Sequence, residues 1–109
     1  MQLFEFQKME IEGVFLITPF SAGDERGKMI KDYSAEVFGR EHIIFEPKET
    51  LYISSHKNVI RGLHVQRVKE QPKLIRCISG CIFCAAVDIR MESSTCGKWV
   101  SAELTEENG

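Results

Sequence analysis

The chain has 109 residues, of which 43% are hydrophobic and 28% charged, and its formal net charge is −2. These values are typical of one globular domain with a modest core. They argue against a general nucleic-acid or membrane-surface binder, which would need an excess of positive charge. No apolar run approaches the roughly 20 residues that span a bilayer, and residues 1–6 lack the features of a secretory signal. We therefore expect a cytoplasmic protein.

The first half of the chain predicts short strands and one helix. Residues 14–18 form an apolar, β-prone run that ends at Pro19, and residues 21–24 are rich in turn formers. A short helix is expected over residues 32–40, with Ser34 as its N-cap. Further strands are expected over residues 42–45, 49–55 and 58–66.

The second half predicts more strands and a tight turn. Residues 74–78 and 82–90 flank Ser79-Gly80, which is typical of a hairpin, and residues 98–104 alternate as a strand does. A mainly β sandwich or open barrel is the expected fold, with residues 1–109 as a single domain. The last five residues are polar turn formers. A sandwich that stops there can leave a strand edge unpaired, so we expect either closure by a partner chain or a chain that is incomplete at this end.

The four cysteines do not predict a metal site. Cys81 and Cys84 have CxxC spacing, but neither a second pair nor a nearby histidine completes a zinc ligand set. Residues three apart on a strand also point to opposite faces. We interpret Cys77, Cys81, Cys84 and Cys96 as small buried thiols.

The segment Arg61-Gly62-Leu63-His64-Val65-Gln66 has the clearest chemical potential. An imidazole, with a pKa of about 6.5, can remove a proton from a carbon beside a carbonyl, and a guanidinium can hold a phosphate or an oxyanion. A strand-end histidine and an exposed arginine are the alternative, which spacing alone favours. Lys73 is equally open, either near an enolate oxygen or as a solvated charge. Arg26, in a turn, could meet a phosphate.

Several sequence blocks change this balance because they recur in the order found in one enzyme family. They include Asp24-Glu25-Arg26-Gly27, the segment from Asn58 to Gln66, Lys73-Leu74-Ile75-Arg76-Cys77, Ala86-Val87-Asp88-Ile89-Arg90 and Gly97-Lys98-Trp99. Together they resemble the dTDP-4-dehydrorhamnose 3,5-epimerases over nearly the whole chain, which corresponds to the N-terminal part of a typical member.

The resemblance implies a cupin jelly roll and a homodimer with an exchanged N-terminal strand. It also implies epimerisation at C3 and C5 of a dTDP-4-keto-6-deoxy sugar, on the route to dTDP-L-rhamnose and surface polysaccharide. The C4 carbonyl acidifies the protons on both neighbouring carbons. The reaction is therefore expected to need neither NAD nor a metal.

The family's site residues carry over by position. His64 matches the general base, Lys73 the lysine near O4 of the sugar, and Arg61 the arginine beside the sugar and phosphate. Arg26 matches a nucleotide-phosphate ligand, which some members supply across the dimer. The other substrate-binding positions are Lys31 and Gln66. Lys31 stands where many members have a glutamate, and Cys84 stands where an acid near the sugar is usual.

Two further hypotheses remain open at this point. The family's catalytic tyrosine and the aspartate that orients its histidine correspond to positions beyond 109. The chain could therefore be an inactive cupin remnant that binds a sugar nucleotide or a partner chain. A related 3,4-ketoisomerase is the other alternative, although the Arg-Gly-Leu-His-Val-Gln block matches epimerases better.

Overall fold

Six strands and one helix make up the regular structure of the protein, which a computed structural model describes over all 109 residues. The strands pair in three antiparallel hairpins. These are β1 (Glu5–Lys8) with β2 (Phe15–Thr18), β3 (Phe20–Asp24) with β4 (Gly27–Lys31), and β5 (Cys81–Val87) with β6 (Trp99–Thr105). The predicted mainly β class with one short helix is confirmed.

The helix, α1 (Ala35–Arg40), begins directly after its N-cap residue, Ser34. Ser34 is extended, and its hydroxyl accepts a hydrogen bond from the backbone N–H of Val37 at 3.3 Å. The side chains of Glu36 and Arg40 form an ion pair one turn apart. The predicted N-cap is confirmed, and the helix starts after it rather than at residue 32. This helix is too short to cross a membrane.

The best-packed part of the molecule lies where α1 meets β1. Phe38 is only 2% exposed, and three aromatic rings meet it edge-on. Their centroids lie 6.0 Å (Phe4), 5.2 Å (Phe6) and 5.0 Å (Tyr33) away. Edge-to-face geometry at these distances is favourable because the positive ring edge meets the negative ring face. The cluster therefore anchors the helix to the first hairpin.

A buried carboxylate ties the third hairpin to the first. Asp88 follows β5, is 4% exposed, and accepts hydrogen bonds from Arg90, Ser93 and Thr95. The Arg90 guanidinium also donates to the backbone oxygen of Glu12, in the turn after β1, at 3.1 Å. The bonds from Arg90, Ser93 and Thr95 hold the pKa of Asp88 well below its usual range.

Several predicted elements are wrong, because a strand needs a neighbouring strand to hydrogen-bond with. Residues 42–45, 49–55, 58–66 and 74–78 belong to no strand; between residues 44 and 79 only one backbone hydrogen bond forms, from Val59 to His56. The whole chain has 33 backbone hydrogen bonds, against about 75 expected for a domain of this size. These β-prone segments are without partners in this chain.

Two turn predictions are also corrected. Residues 21–24 belong to β3, and the chain reverses at Glu25 and Arg26. β5 pairs with β6 rather than with residues 74–78, so the hairpin turns through residues 88–98 instead of at Ser79-Gly80. β1 and β4 are not among the strands that the sequence predicts.

The molecule exposes far more surface than a compact domain of its size. Its accessible area is 9618 Å², against about 6,200 Å² for a folded monomer of 12.5 kDa. Its radius of gyration is 15.2 Å, against about 13 Å. Much of the excess is apolar, as in Leu51, Tyr52 and Ile53, and each two-stranded sheet has free edges. The unpaired edges expected from the sequence are therefore present.

The interpretation of the cysteines is correct for one of the four. Cys77 is buried, Cys84 is half-buried, and Cys81 and Cys96 are exposed. Cys81 lies at the start of β5, where its thiol donates to a carboxylate oxygen of Glu103 at 3.2 Å. That hydrogen bond raises the pKa of Cys81, and burial raises the pKa of Cys84. A thiol held in its protonated form is a poor nucleophile.

Candidate substrate site

Arg26 lies in the two-residue turn between β3 and β4. Glycine favours the turn on both sides: Gly27 has φ +131°, and a Cβ on Gly23 would make a tight contact, 3.3 Å from the backbone oxygen of Gly27. Asp24 closes the turn because its Oδ1 accepts from the backbone N–H of Arg26 at 2.9 Å. An aspartate that bonds the N–H two residues ahead is a common turn-forming contact.

The same carboxylate also holds the Arg26 side chain. Nε lies 3.2 Å from both oxygens of Asp24, and one Nη lies 2.5 Å from Oδ2. The hydrogen bond lowers the pKa of Asp24 and raises that of Arg26, so both stay charged. The Arg26 side chain is 84% exposed, and the edge of its guanidinium that faces away from Asp24 is open to solvent. Arg26 can therefore bind an anion while it remains paired.

Lys31 lies at the other end of the same hairpin. It is opposite Phe20 in the ladder, and its ammonium lies 5.0 Å from the centre of that ring, within cation–π range. Lys31 lies four positions after Gly27 in β4, which corresponds to about 13 Å along the strand. Arg26 and Lys31 therefore serve opposite ends of the hairpin.

Arg61 and His64 belong to the extended segment between α1 and β5. The Arg61 guanidinium donates from Nε to the hydroxyl of Ser55 at 2.9 Å and from Nη2 to the backbone oxygen of Ser54 at 3.4 Å. Gly62, with φ +114°, adopts a conformation that other residues rarely adopt. A Cβ there would lie 3.5 Å from the backbone nitrogen of His64. The backbone between the two candidate residues therefore has a conformation that favours glycine.

The remaining predicted residues are open to solvent. His64, Gln66 and Lys73 are exposed, and their side chains make no hydrogen bond within the chain. No ion pair or hydrogen bond joins any two of the six predicted site residues. Their contacts divide them between the β3–β4 hairpin and the segment from residue 61 to residue 73, and their chemical roles stay predictions.

Sequence reasoning missed the acidic partners of two arginines. Asp24 holds Arg26, and Asp32 pairs with Arg76 at 3.2 Å. The Nε of Arg76 is buried and has no partner, so this guanidinium keeps one unsatisfied donor. The first pair carries a readable signal: an aspartate at the end of a strand, two residues before an arginine. Asp88 and Arg90 repeat that spacing and that contact after β5.

Comparison with known protein families gives one consistent answer. The family model described as dTDP-4-dehydrorhamnose 3,5-epimerase matches residues 8–109. The Escherichia coli enzyme of that name is 41% identical over 105 residues, which cover 93% of this chain and 56% of that protein. The enzyme from Methanothermobacter thermautotrophicus is 38% identical over 108 residues, or 96% of this chain and 57% of that protein.

Solved structures agree with the sequence relatives. The Bacillus anthracis dTDP-4-dehydrorhamnose 3,5-epimerase, with TDP and PPi bound, superposes with a TM-score of 0.89 at 27% identity, covering 97% of this chain and 62% of that one. The Legionella pneumophila dTDP-6-deoxy-D-glucose-3,5-epimerase, in complex with dTDP-4-keto-L-rhamnose, gives 0.88 at 34% identity, covering 97% of this chain and 57% of that one.

These matches settle the fold class and the family. The expected cupin-like jelly roll is confirmed as the fold class that this chain shares with its structural neighbours. The chain spans a little over half the length of the curated relatives that it matches. The family model matches residues 8–109, which is nearly the whole chain, so this chain belongs to the dTDP-4-dehydrorhamnose 3,5-epimerase family.

Proposed function

We propose that this chain takes part in the 3,5-epimerisation of a dTDP-4-keto-6-deoxy sugar, within dTDP-L-rhamnose biosynthesis. The observation that carries the proposal is the family match over residues 8–109. A structural neighbour at 34% identity holds dTDP-4-keto-L-rhamnose, which supports the same substrate class here. Residues 1–109 would form the N-terminal portion of a single epimerase domain.

His64 is the proposed general base. It removes the proton from C3 or C5, the C–H electron pair moves toward the C4 carbonyl, and an enolate forms with its charge on O4. A general acid on the opposite face, the role that the resemblance gives to the family's tyrosine, then donates a proton to the same carbon; this inverts the centre and restores the ketone, and His64 releases its proton to solvent. Lys73 stabilises the enolate oxygen as an ammonium, and Arg61 binds beside the sugar and phosphate. Support comes from the position of His64 and Lys73 within the sequence blocks that match the family model over residues 8–109.

Arg26, Lys31 and Gln66 are the proposed substrate-binding residues outside the reacting centre. Arg26 has an open guanidinium edge, and a neighbour with TDP and PPi bound supports a diphosphate as its ligand. Lys31 adds a second cation at the far end of the hairpin. No step in this chemistry calls for a nicotinamide or a metal, because the substrate's own carbonyl accepts the electron pair.

Assembly as a homodimer is part of the proposal. The chain exposes about 3,400 Å² more than a compact monomer of its mass, and a stable interface of standard size buries about 800 Å² on each partner. The excess is therefore large enough for an extensive interface. A cytoplasmic location is proposed with it, where sugar nucleotides are made.

The proposed chemistry is tested by hydrogen exchange. NMR follows deuterium entry at C3 and C5 of dTDP-4-keto-6-deoxyglucose in D2O, with the native chain and with His64→Ala and His56→Ala. Exchange above the protein-free rate that is lost in His64→Ala and kept in His56→Ala supports the assignment. Equal exchange in all three proteins would reject His64 as the base. Formation of a 3-keto sugar would instead identify a 3,4-ketoisomerase.

A non-catalytic role is the second candidate. The observation that favours it is that His64 and Lys73 make no side-chain hydrogen bond in this chain that would orient them. The protein would then bind a sugar nucleotide, or pair with another chain, without epimerising the sugar. Calorimetric binding of dTDP by a folded chain that gives no deuterium exchange is the expected result for this candidate.

A further inference from the structure

The Asp24–Arg26 pair does more than balance two charges. Asp24 contacts Arg26 three ways: through its backbone N–H, its Nε and one Nη. The backbone contact fixes the carboxylate relative to the turn, and the fixed carboxylate then fixes the guanidinium. From this geometry we propose that Asp24 is a positioning residue, which holds Arg26 in the orientation that a diphosphate ligand needs. The inference rests on the proposed role of Arg26 as a phosphate ligand.

The contacts leave a defined set of donors free. Arginine has five N–H donors in a planar fork. Asp24 takes the Nε–H and one hydrogen of one Nη, so the other Nη keeps both of its hydrogens. Those remaining donors lie in the same plane and point away from the carboxylate. A phosphate can accept two of them at once without displacing Asp24.

Folding stability does not account for the pair. The Arg26 and Asp24 side chains are 84% and 42% exposed, and ion pairs in such positions contribute little because water screens them. What the pair changes is the freedom of the Arg26 side chain. A long side chain loses rotamer freedom when it binds a ligand, and a chain that is already held loses less. Asp24 therefore lowers the entropic penalty of phosphate binding.

The proposal and simple electrostatics predict opposite changes in ligand affinity when the charge of Asp24 is removed. Asp24 is a negative charge beside the site of a negative ligand, so by charge alone its removal strengthens binding. If Asp24 positions Arg26, then Asp24→Asn weakens binding. The amide oxygen of the D24N side chain can still accept from the backbone N–H of Arg26, so the turn is kept. The charge-assisted hydrogen bonds from the guanidinium to the carboxylate are lost.

Glu25 provides the matched control. It is the neighbouring residue in the same turn, it is exposed, and its side chain makes no hydrogen bond. Glu25→Gln removes the same charge from nearly the same place without touching the Arg26 contacts. Its effect on ligand affinity therefore measures the electrostatic change alone.

Isothermal titration of dTDP into the native chain, D24N, E25Q and Arg26→Gln tests the proposal. We expect D24N to weaken dTDP binding about two- to tenfold, the range set by the ordering of one long side chain. E25Q should leave binding unchanged or slightly tighter. The Arg26 Nε–H signal in ¹⁵N NMR should exchange faster with water in D24N and not in E25Q.

The outcomes separate this inference from the proposed function. If R26Q weakens binding while D24N binds as tightly as E25Q or tighter, positioning by Asp24 is wrong and the role of Arg26 stands. Unchanged binding in R26Q removes the phosphate role of Arg26, and the inference with it. A native chain that binds no dTDP overturns both.

Discussion

Replacing Phe38 by alanine should remove a large part of the stability of this protein. The buried ring of a phenylalanine hides on the order of 150 Å² or more, which at about 25 cal/mol per Å² corresponds to roughly 4 kcal/mol. The loss of three edge-to-face contacts adds a further penalty, and measured Phe→Ala losses in cores are about 3–5 kcal/mol. A chain of 109 residues has a total stability of about 5–15 kcal/mol.

The position of Phe38 makes the loss severe here. Its cluster includes the one large side chain that is fully buried, so no second core compensates. Urea denaturation followed by far-UV circular dichroism measures the effect on the free energy of unfolding. Because Phe38→Ala can leave the chain unfolded in water, Phe38→Leu serves as a milder variant, with roughly a third to a half of the loss.

The control is an apolar truncation at a solvent-exposed position. Val68 is 75% exposed, and Val68→Ala should change the free energy of unfolding by no more than about 0.5 kcal/mol. If Phe38→Leu and Phe38→Ala both unfold at the same urea concentration as Val68→Ala, the aromatic cluster does not anchor the fold. The reasoning from burial would then be refuted.

Three further predictions concern the hydrogen-bonded parts of the fold. Asp88 has a lowered pKa in the folded chain, so its stabilising effect is present above its unfolded pKa of about 3.9 and is lost as the pH falls below it. Thermal unfolding from pH 7 to pH 3 should show a weaker acid dependence in Asp88→Asn, and equal slopes would contradict this. Ser34→Ala removes the N-cap of α1 and should lower stability by about 1 kcal/mol in urea titrations, whereas Ser34→Asp should retain it. Gly27→Ala forces a side chain onto φ +131° and should cost about 1–3 kcal/mol, with Gly39→Ala, which meets no neighbouring atom, as the control. A Gly27→Ala midpoint no lower than that of Gly39→Ala would contradict the strain.

The elements that the sequence predicts correctly are those determined by residues close together in the sequence. Ser34 was recognisable as an N-cap because a hydroxyl just before a helical run has a defined use. β2, β5 and β6 were recognisable because their residues have high strand propensity and their partners lie in the same chain. The resemblance of the motif blocks predicted the family, which no amount of propensity reasoning could supply.

The pairing of strands could not be predicted from the sequence. Residues 49–55 have the composition of a strand, but composition does not say whether a partner strand is present. The contacts of the site were hidden for a similar reason. The Asp32–Arg76 pair joins residues 44 positions apart, and the residues next to each of them in the sequence do not indicate the contact.

The open strand edges have a consequence for the behaviour of the protein in solution. A chain that hides part of its apolar surface only by binding a partner is stabilised by mass action, so its melting temperature should rise with protein concentration. The same edges make the unassembled chain prone to non-native pairing, because an unpaired β-prone segment can add to any exposed strand. For the proposed homodimer, concentration is therefore a variable of the folded state itself, comparable to temperature or pH.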